Sequence, residues 1–163
     1  MRVTVMLLTW SPDIEHDRTD YAERTVEAAL DQLKVNDGDE IAWHIADDDS
    51  DPRHVAALMA HFQYRGIAPT LSNADRGGYG RSYNLATQVI HDRTDYVLPL
   101  EDDWILQRDL NLSPLMHAIE ASEGFMRSIR LGYLGWTNYL RGTFYQFAGE
   151  KFVMLDPDSP QQH

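Results

Sequence analysis

The residues best suited to chemistry in this chain are two runs of carboxylates, each placed directly after a short apolar segment. Tyr96 to Leu100 leads into Glu101, Asp102 and Asp103, and Glu40 to Ala46 leads into Asp47, Asp48 and Asp49, followed by Ser50 and Asp51. Two unit charges about 4 Å apart repel by roughly 4 kcal/mol at the effective dielectric of a protein surface, so such clusters are costly unless something cationic sits beside them. A bound divalent ion would offset that cost, as a divalent-cation and diphosphate site needs. A solvated acidic loop is the plainer reading of either run alone. Two apolar segments with the same ending suggest one shared edge.

Those acids need elements to carry them. Val3 to Trp10 is nearly all apolar, as for a strand buried on both faces of a parallel sheet. After a loop from Ser11 to Arg18, Asp20 to Glu23 fits a capping box, and Ala22, Val26, Ala29, Leu30 and Leu33 recur at helical spacing until Asn36-Asp37-Gly38. Glu40 to Ala46 is the second strand. Asp51-Pro52 reads as an N-cap with proline at the first helical position, opening a helix with Val55, Leu58, Met59 and Phe62 as its buried stripe and Gly66 as its stop. Ile67 to Leu71 is a third strand. A turn-rich loop, Asn73 to Gly80, runs into a helix with Tyr83, Ala86, Val89 and Ile90 on one side.

The fourth strand then ends in the acidic triplet. Pro99 has no N–H for a ladder, so a bulge or lost pairing is expected there. Further on, Ser113-Pro114 reads as another N-cap and proline, Ser128 to Leu134 as a strand, and Thr143 to Phe147 with Lys151 to Leu155 as a hairpin around Ala148-Gly149-Glu150. Alternating strands and helices imply a doubly wound, Rossmann-like α/β fold, mostly parallel, with helices on both faces and a C-terminal β-hairpin. Ligands in such sheets sit at the carboxyl ends of the strands.

Composition narrows the function classes. The chain has 163 residues and 43% hydrophobic content, enough for a single domain with a core. No apolar run approaches the roughly 20 residues a membrane helix needs, and the start reads as a strand instead of a signal peptide, so a cytoplasmic location is the default. With no cysteine, a bound metal would take oxygen or imidazole ligands. A formal charge of −12 argues against nucleic acid as a partner. Any anionic ligand needs local cations, and Arg76 and Arg81 fall together in the glycine-rich stretch. His44 reads as structural, and His54 and His61 as surface residues. Trp104 and Trp136 read as packing residues before sugar platforms.

The order of first strand, Asp47-Asp48-Asp49-Ser50, glycine-rich loop with Asn84, then apolar strand and Glu101-Asp102-Asp103 resembles the family-two, GT-A type glycosyltransferases over about residues 3 to 104. The family's Asp-Asp-Gly-Ser is matched with Asp49 in place of glycine, a change that turn chemistry tolerates. Its Asp-x-Asp type motif is matched by Glu101-Asp102-Asp103. The resemblance implies a nucleotide-diphospho-sugar donor and a Mn2+ or Mg2+ ion held by Asp103. Asp102 would lie near the ribose and Glu101 would support the site, while Thr9 and Asp47 or Asp48 would line base and ribose. Arg76 to Asn84 resembles the family's glycine-rich segment ending in Arg-Asn, with Tyr83 where the arginine is usual and Arg81 as its replacement.

Residues 1–104 would then be the donor-binding part and 105–163 a reduced acceptor-side part of one domain. The acceptor, a sugar, lipid or protein, is not legible. An inverting transfer needs a general base within reach of the attacking hydroxyl, and the candidates are Glu120, Glu123, Asp156 and Asp158. The chain stops at His163, shorter than the family norm, so the acceptor half is reduced, the chain is a fragment, or a partner completes it. Two other readings stay open: a nucleotide-sugar-binding domain without turnover, and a sugar nucleotidyltransferase. Thr9-Trp10-Ser11-Pro12-Asp13 does not resemble the basic, glycine-rich loop that the latter usually carries after its first strand, and no Gly-x-x-x-x-Gly-Lys-Ser/Thr stretch occurs.

Overall fold

A computed structural model of the chain describes residues 1–129, 131 and 142–155. It divides into two compact units, Met1–Asn111 and Leu112–His163. The first begins with β1 (Arg2–Thr9), in which every residue after Arg2 is buried. Alternate side chains of a strand point to opposite faces, so burial at each successive position means that both faces are covered.

Helix α1 (Asp17–Gln32) follows, capped by His16, whose side chain accepts from the Arg18 N–H. The helix therefore starts ahead of the expected Asp20 cap, because Nδ1 of an imidazole satisfies an orphan N–H as a carboxylate would. Its apolar face buries Ala22, Val26 and Ala29. A two-residue strand, β2 (Leu33–Lys34), leads to β3 (Glu40–Asp47) and then to α2 (Pro52–Tyr64). Asp51 caps α2 by accepting from the Arg53 N–H, with Pro52 at the first position, as expected. The Arg53 guanidinium beside it holds the Asp51 carboxyl down to about 2.

The third strand of the sheet is β4 (Thr70–Asn73), shifted from the expected Ile67 to Leu71. Its position is fixed by pairing, His44 opposite Thr70 through Asp47 opposite Asn73. The His44 ring sits between Thr70 Oγ1 at 2.7 Å and Ser72 Oγ at 2.9 Å, and burial pushes its pKa down to about 4. Local propensity favoured the apolar residues Ile67 and Leu71, but those two hydroxyl partners hold the register.

After α3 (Tyr79–Ile90), β5 (Tyr96–Glu101) returns to the far side of β1, giving a four-stranded parallel sheet in the order β4-β3-β1-β5. Pro99 pairs with Met6 in an uninterrupted register from Val3–Tyr96 to Leu8–Glu101, so the expected bulge is absent. The reason is its place in the sheet: β5 is an edge strand, where a missing N–H faces outward. The sheet buries Met6, Leu8 and Ala46 against Ala86 and Ile90 of α3. On the other face, Trp43 meets Phe62 of α2 edge-on at 5.1 Å, and α1 packs on α2. The architecture is thus α/β with a parallel central sheet and helices on both faces. A short β6 (Leu110–Asn111) pairs with β2 and closes the first unit.

The second unit holds α4 (Ser113–Ala121) and the antiparallel hairpin of β7 (Gly142–Phe147) and β8 (Glu150–Leu155). Leu112, not Ser113, occupies the cap position of α4, and proline follows within the first turn. The hairpin was expected, and its two-residue turn has Ala148 at φ 49° and Gly149 at φ 88°, the two left-handed positions that match the strand twist. Of the expected strand Ser128 to Leu134, Ser128, Ile129 and Leu131 are not in strand conformation. Its other residues, with Trp136, Asp156 and Asp158, lie outside the described residues. No helix among the described residues is long and apolar enough to cross a membrane.

Candidate functional site

The strand order reverses at β1: its chain neighbour β3 lies on one side and the late strand β5 on the other. Such a switch point leaves a crevice at the carboxyl ends of the strands because the connecting helices depart to opposite faces. Here it forms a cleft of about 540 Å³, within the range usual for small-molecule sites. The ends of β1, β3 and β5 supply Leu8, Thr9, Trp10, Ala46, Asp48, Glu101 and Asp102, and α1 adds Arg18. The loop before α3 and its first turns add Arg76 to Tyr79 and Ser82.

Asp102 anchors the cleft. A turn from Glu101 to Trp104, closed by the Trp104 N–H on the Glu101 carbonyl at 3.2 Å, turns Asp102 inward and leaves Asp103 exposed. Asp102 is 2% exposed. Its Oδ2 accepts from Thr9 Oγ1 at 2.9 Å and the Trp10 N–H at 3.1 Å, and its Oδ1 accepts from Arg18 Nη2 at 2.8 Å. Thr25 Oγ1 donates to the Asp102 carbonyl at 3.0 Å, so α1 holds both ends of the residue. A buried carboxylate persists only when paired and hydrogen-bonded, and Asp102 meets both conditions.

Behind Thr9 lies His54, fully buried on α2, in contrast to the surface position expected for it. Its Nε2 is 2.8 Å from Thr9 Oγ1 and its Nδ1 3.0 Å from Thr19 Oγ1. Thr9 has one hydroxyl proton and gives it to Asp102, so His54 Nε2–H is the donor to Thr9 and Nδ1 the acceptor from Thr19. Burial lowers the His54 pKa, opposed by the nearby charges of Asp102, Asp47 and Asp51. The spacing Val55, Leu58, Met59 and Phe62 concealed this residue. The face actually buried is His54, Leu58 and Phe62, one position around the helix.

On the β3 side, Asp47 is 3% exposed and accepts from Asn73 Nδ2 at 3.0 Å and from the Ser50 N–H, bracing the turn. Asp48 faces the cleft and accepts from the Gly78 N–H at 2.9 Å and from Ser82 Oγ at 3.1 Å. Asp49, standing where the resembled motif has glycine, takes φ 65°, a conformation that glycine and Asp tolerate better than most residues. The loop that reaches Asp48 is itself bent, with Asp75 at φ 48°, Arg76 at φ 56° and Gly78 at φ 78°. Backbone of this kind is held only where its surroundings demand it.

That bend places the Arg76 guanidinium over the Trp10 ring, 3.7 Å from its centroid, while Arg18 lies 5.8 Å from the same ring. The cleft of an acidic protein is thus lined by two guanidinium groups. No local signal in the sequence singles out Trp10 or Arg18. Arg18 sat in a stretch read as loop, and its partner Asp102 lies 84 residues away.

Of the candidate residues, Thr9, Asp48, Arg76, Glu101 and Asp102 come together in the cleft, with Asp47 buried behind Asp48. Arg81 and Asn84 are exposed on α3, outside the lining. The Arg81 stem covers Gly77, where a Cβ would stand 2.0 Å from its Cδ. Asp103 is exposed and does not line the cleft. Glu120 and Glu123 belong to the second unit, on α4 and in the turn after it. Trp104, expected to pack, is 51% exposed. No group of three or more His, Asp or Glu among the described residues is placed to hold a metal ion. Compared with protein-family models and with curated proteins, the chain matches none.

Proposed function

We propose that this chain is a GT-A type glycosyltransferase, moving a sugar from a nucleotide-diphospho-sugar donor to a sugar, lipid or protein acceptor. The observation that carries the reading is the convergence of Asp48, Glu101 and Asp102 with Arg18 and Arg76 in one cleft at the switch point. A donor of this class offers hydroxyls and a base edge for carboxylates to accept from, an aromatic ring to stack, and a diphosphate for guanidinium groups. Trp10, Asp48 and the two arginines supply that complement. Stabilising the diphosphate as the sugar–phosphate bond breaks is the largest service such a site gives.

A hard divalent ion, Mn2+ or Mg2+, would serve the same charge in this chemistry. The residues do not fit it in the arrangement that the sequence implied. The Asp102 oxygens already accept from Thr9, Trp10 and Arg18, and Asp103 stands outside the cleft lining. Glu101 is the remaining carboxylate of the triplet in the cleft.

Thermal unfolding against UDP, GDP, dTDP and CDP, each with and without Mn2+, tests the reading, since ligand at about 100 times its Kd adds roughly 2.7 kcal/mol of stability. A shift with one nucleotide identifies the donor base. Release of that nucleotide from its sugar conjugate, with an acceptor present, separates a transferase from a binding domain. No shift with any of the four overturns the reading.

A further inference from the structure

Two residues of the cleft lining each carry a buried donor that lacks a hydrogen-bond partner among the described residues, Trp10 Nε1 and Arg18 Nε. Both residues line the same cavity, and two of its three carboxylates are already engaged, Asp102 with Arg18 Nη2 and Asp48 with Gly78 and Ser82, while Glu101 is the third. A buried N–H without an acceptor is a standing cost, and it favours a side-chain adjustment that brings the donor to a ligand oxygen. Arg18 is held from one edge only, through Nη2, and its side chain is 41% exposed while that of Asp102 is 3% exposed. The guanidinium fork therefore keeps donors for a second, oxygen-rich partner.

We propose that Arg18 is the resident cation for a diphosphate in this cleft, anchored by Asp102 and assisted by Arg76, so that diphosphate binding needs no divalent metal. The inference rests on the nucleotide-diphosphate reading for the identity of the ligand, but its core is the anion. Asp102 has a place in this scheme that a metal ligand could not fill. It is buried, its two oxygens already accept three hydrogen bonds, and its charge orients Arg18 instead of coordinating an ion. A planar guanidinium suits the task, since it binds phosphate oxygens in pairs while keeping its contact to the carboxylate.

Inorganic pyrophosphate is the probe, measured by calorimetry on the whole chain in excess EDTA and again with Mn2+. The wild type binds pyrophosphate in EDTA. Arg18→Gln weakens that binding by about tenfold or more, as loss of a charge-assisted contact does. Arg18→Lys keeps a cation beside Asp102 and preserves the fold if the glutamine variant does not, and it also binds more weakly because the planar fork is gone. Binding that appears only with Mn2+, no binding in either condition, or undiminished affinity in both folded variants overturns the proposal. A chain that binds pyrophosphate in EDTA through Arg18 but none of the four nucleoside diphosphates keeps this inference and overturns the nucleotide-sugar reading.

Discussion

Arg18 Nη2 stands 2.8 Å from Asp102 Oδ1, joining the second residue of α1 to the turn that follows β5. This pair spans the switch point of the sheet, so the cleft and the fold share one contact. The Asp102 side that faces Thr9 extends the connection to α2 through His54. The site is therefore supported by a buried polar relay, and several consequences are measurable.

Thr9→Val removes the hydroxyl between His54 and Asp102 at nearly constant volume. One buried carboxylate and one buried imidazole each lose a partner, and the expected destabilisation is about 1–3 kcal/mol. Urea unfolding reads it. Thr9→Ser keeps the hydroxyl and falls well short of that loss; equal losses in the two variants would place the cost in packing.

Stability falls on acidification from two buried imidazoles. His44 is pushed down from 6.5 to about 4, and His54 is lowered as well, so the unfolded chain binds protons that the folded chain refuses. The stability is present above pH 6.5 and is lost as pH falls toward the folded pKa. His44 contributes at most about 1.4 kcal/mol per pH unit in that window, and His54 acts in the same direction. Urea midpoints of the wild type and His44→Gln across the window test this. The variant shows the shallower decline, and parallel curves would remove His44 as a source.

Asp103→Ala leaves pyrophosphate affinity in EDTA unchanged, since Asp103 is exposed outside the cleft lining. Calorimetry with and without Mn2+ checks it. A manganese-dependent component that disappears in this variant would restore Asp103 as a metal ligand and count against Arg18.

Ala148→Gly relieves a left-handed alanine in the hairpin turn. The non-glycine residue costs about 1 kcal/mol there, partly offset by the greater unfolded-state freedom of glycine. Amide hydrogen exchange in β7 and β8 slows in the variant. Faster exchange would mean that the freedom gained in the unfolded chain outweighs the relief.

The sequence by itself determined the alternation of strands and helices, the proline-opened α2, the hairpin, and the delivery of two acidic runs to strand ends. Each is local: an apolar run, a cap or a turn residue lies within a few positions of what it specifies. Even where β4 slipped toward its C-terminal side, the element existed. Only the tertiary structure decided which acids of the triplet line the cleft, because a single turn sends Asp102 inward and Asp103 outward. It also decided that Arg18 and His54 belong to the site. Their partners are 84 and 45 positions away, Asp102 for Arg18 and Thr9 for His54, and no local pattern carries such a distance. Pro99 makes the same point from the other side. Its missing donor reads as a defect within a strand and is harmless once pairing has put that strand at the sheet edge.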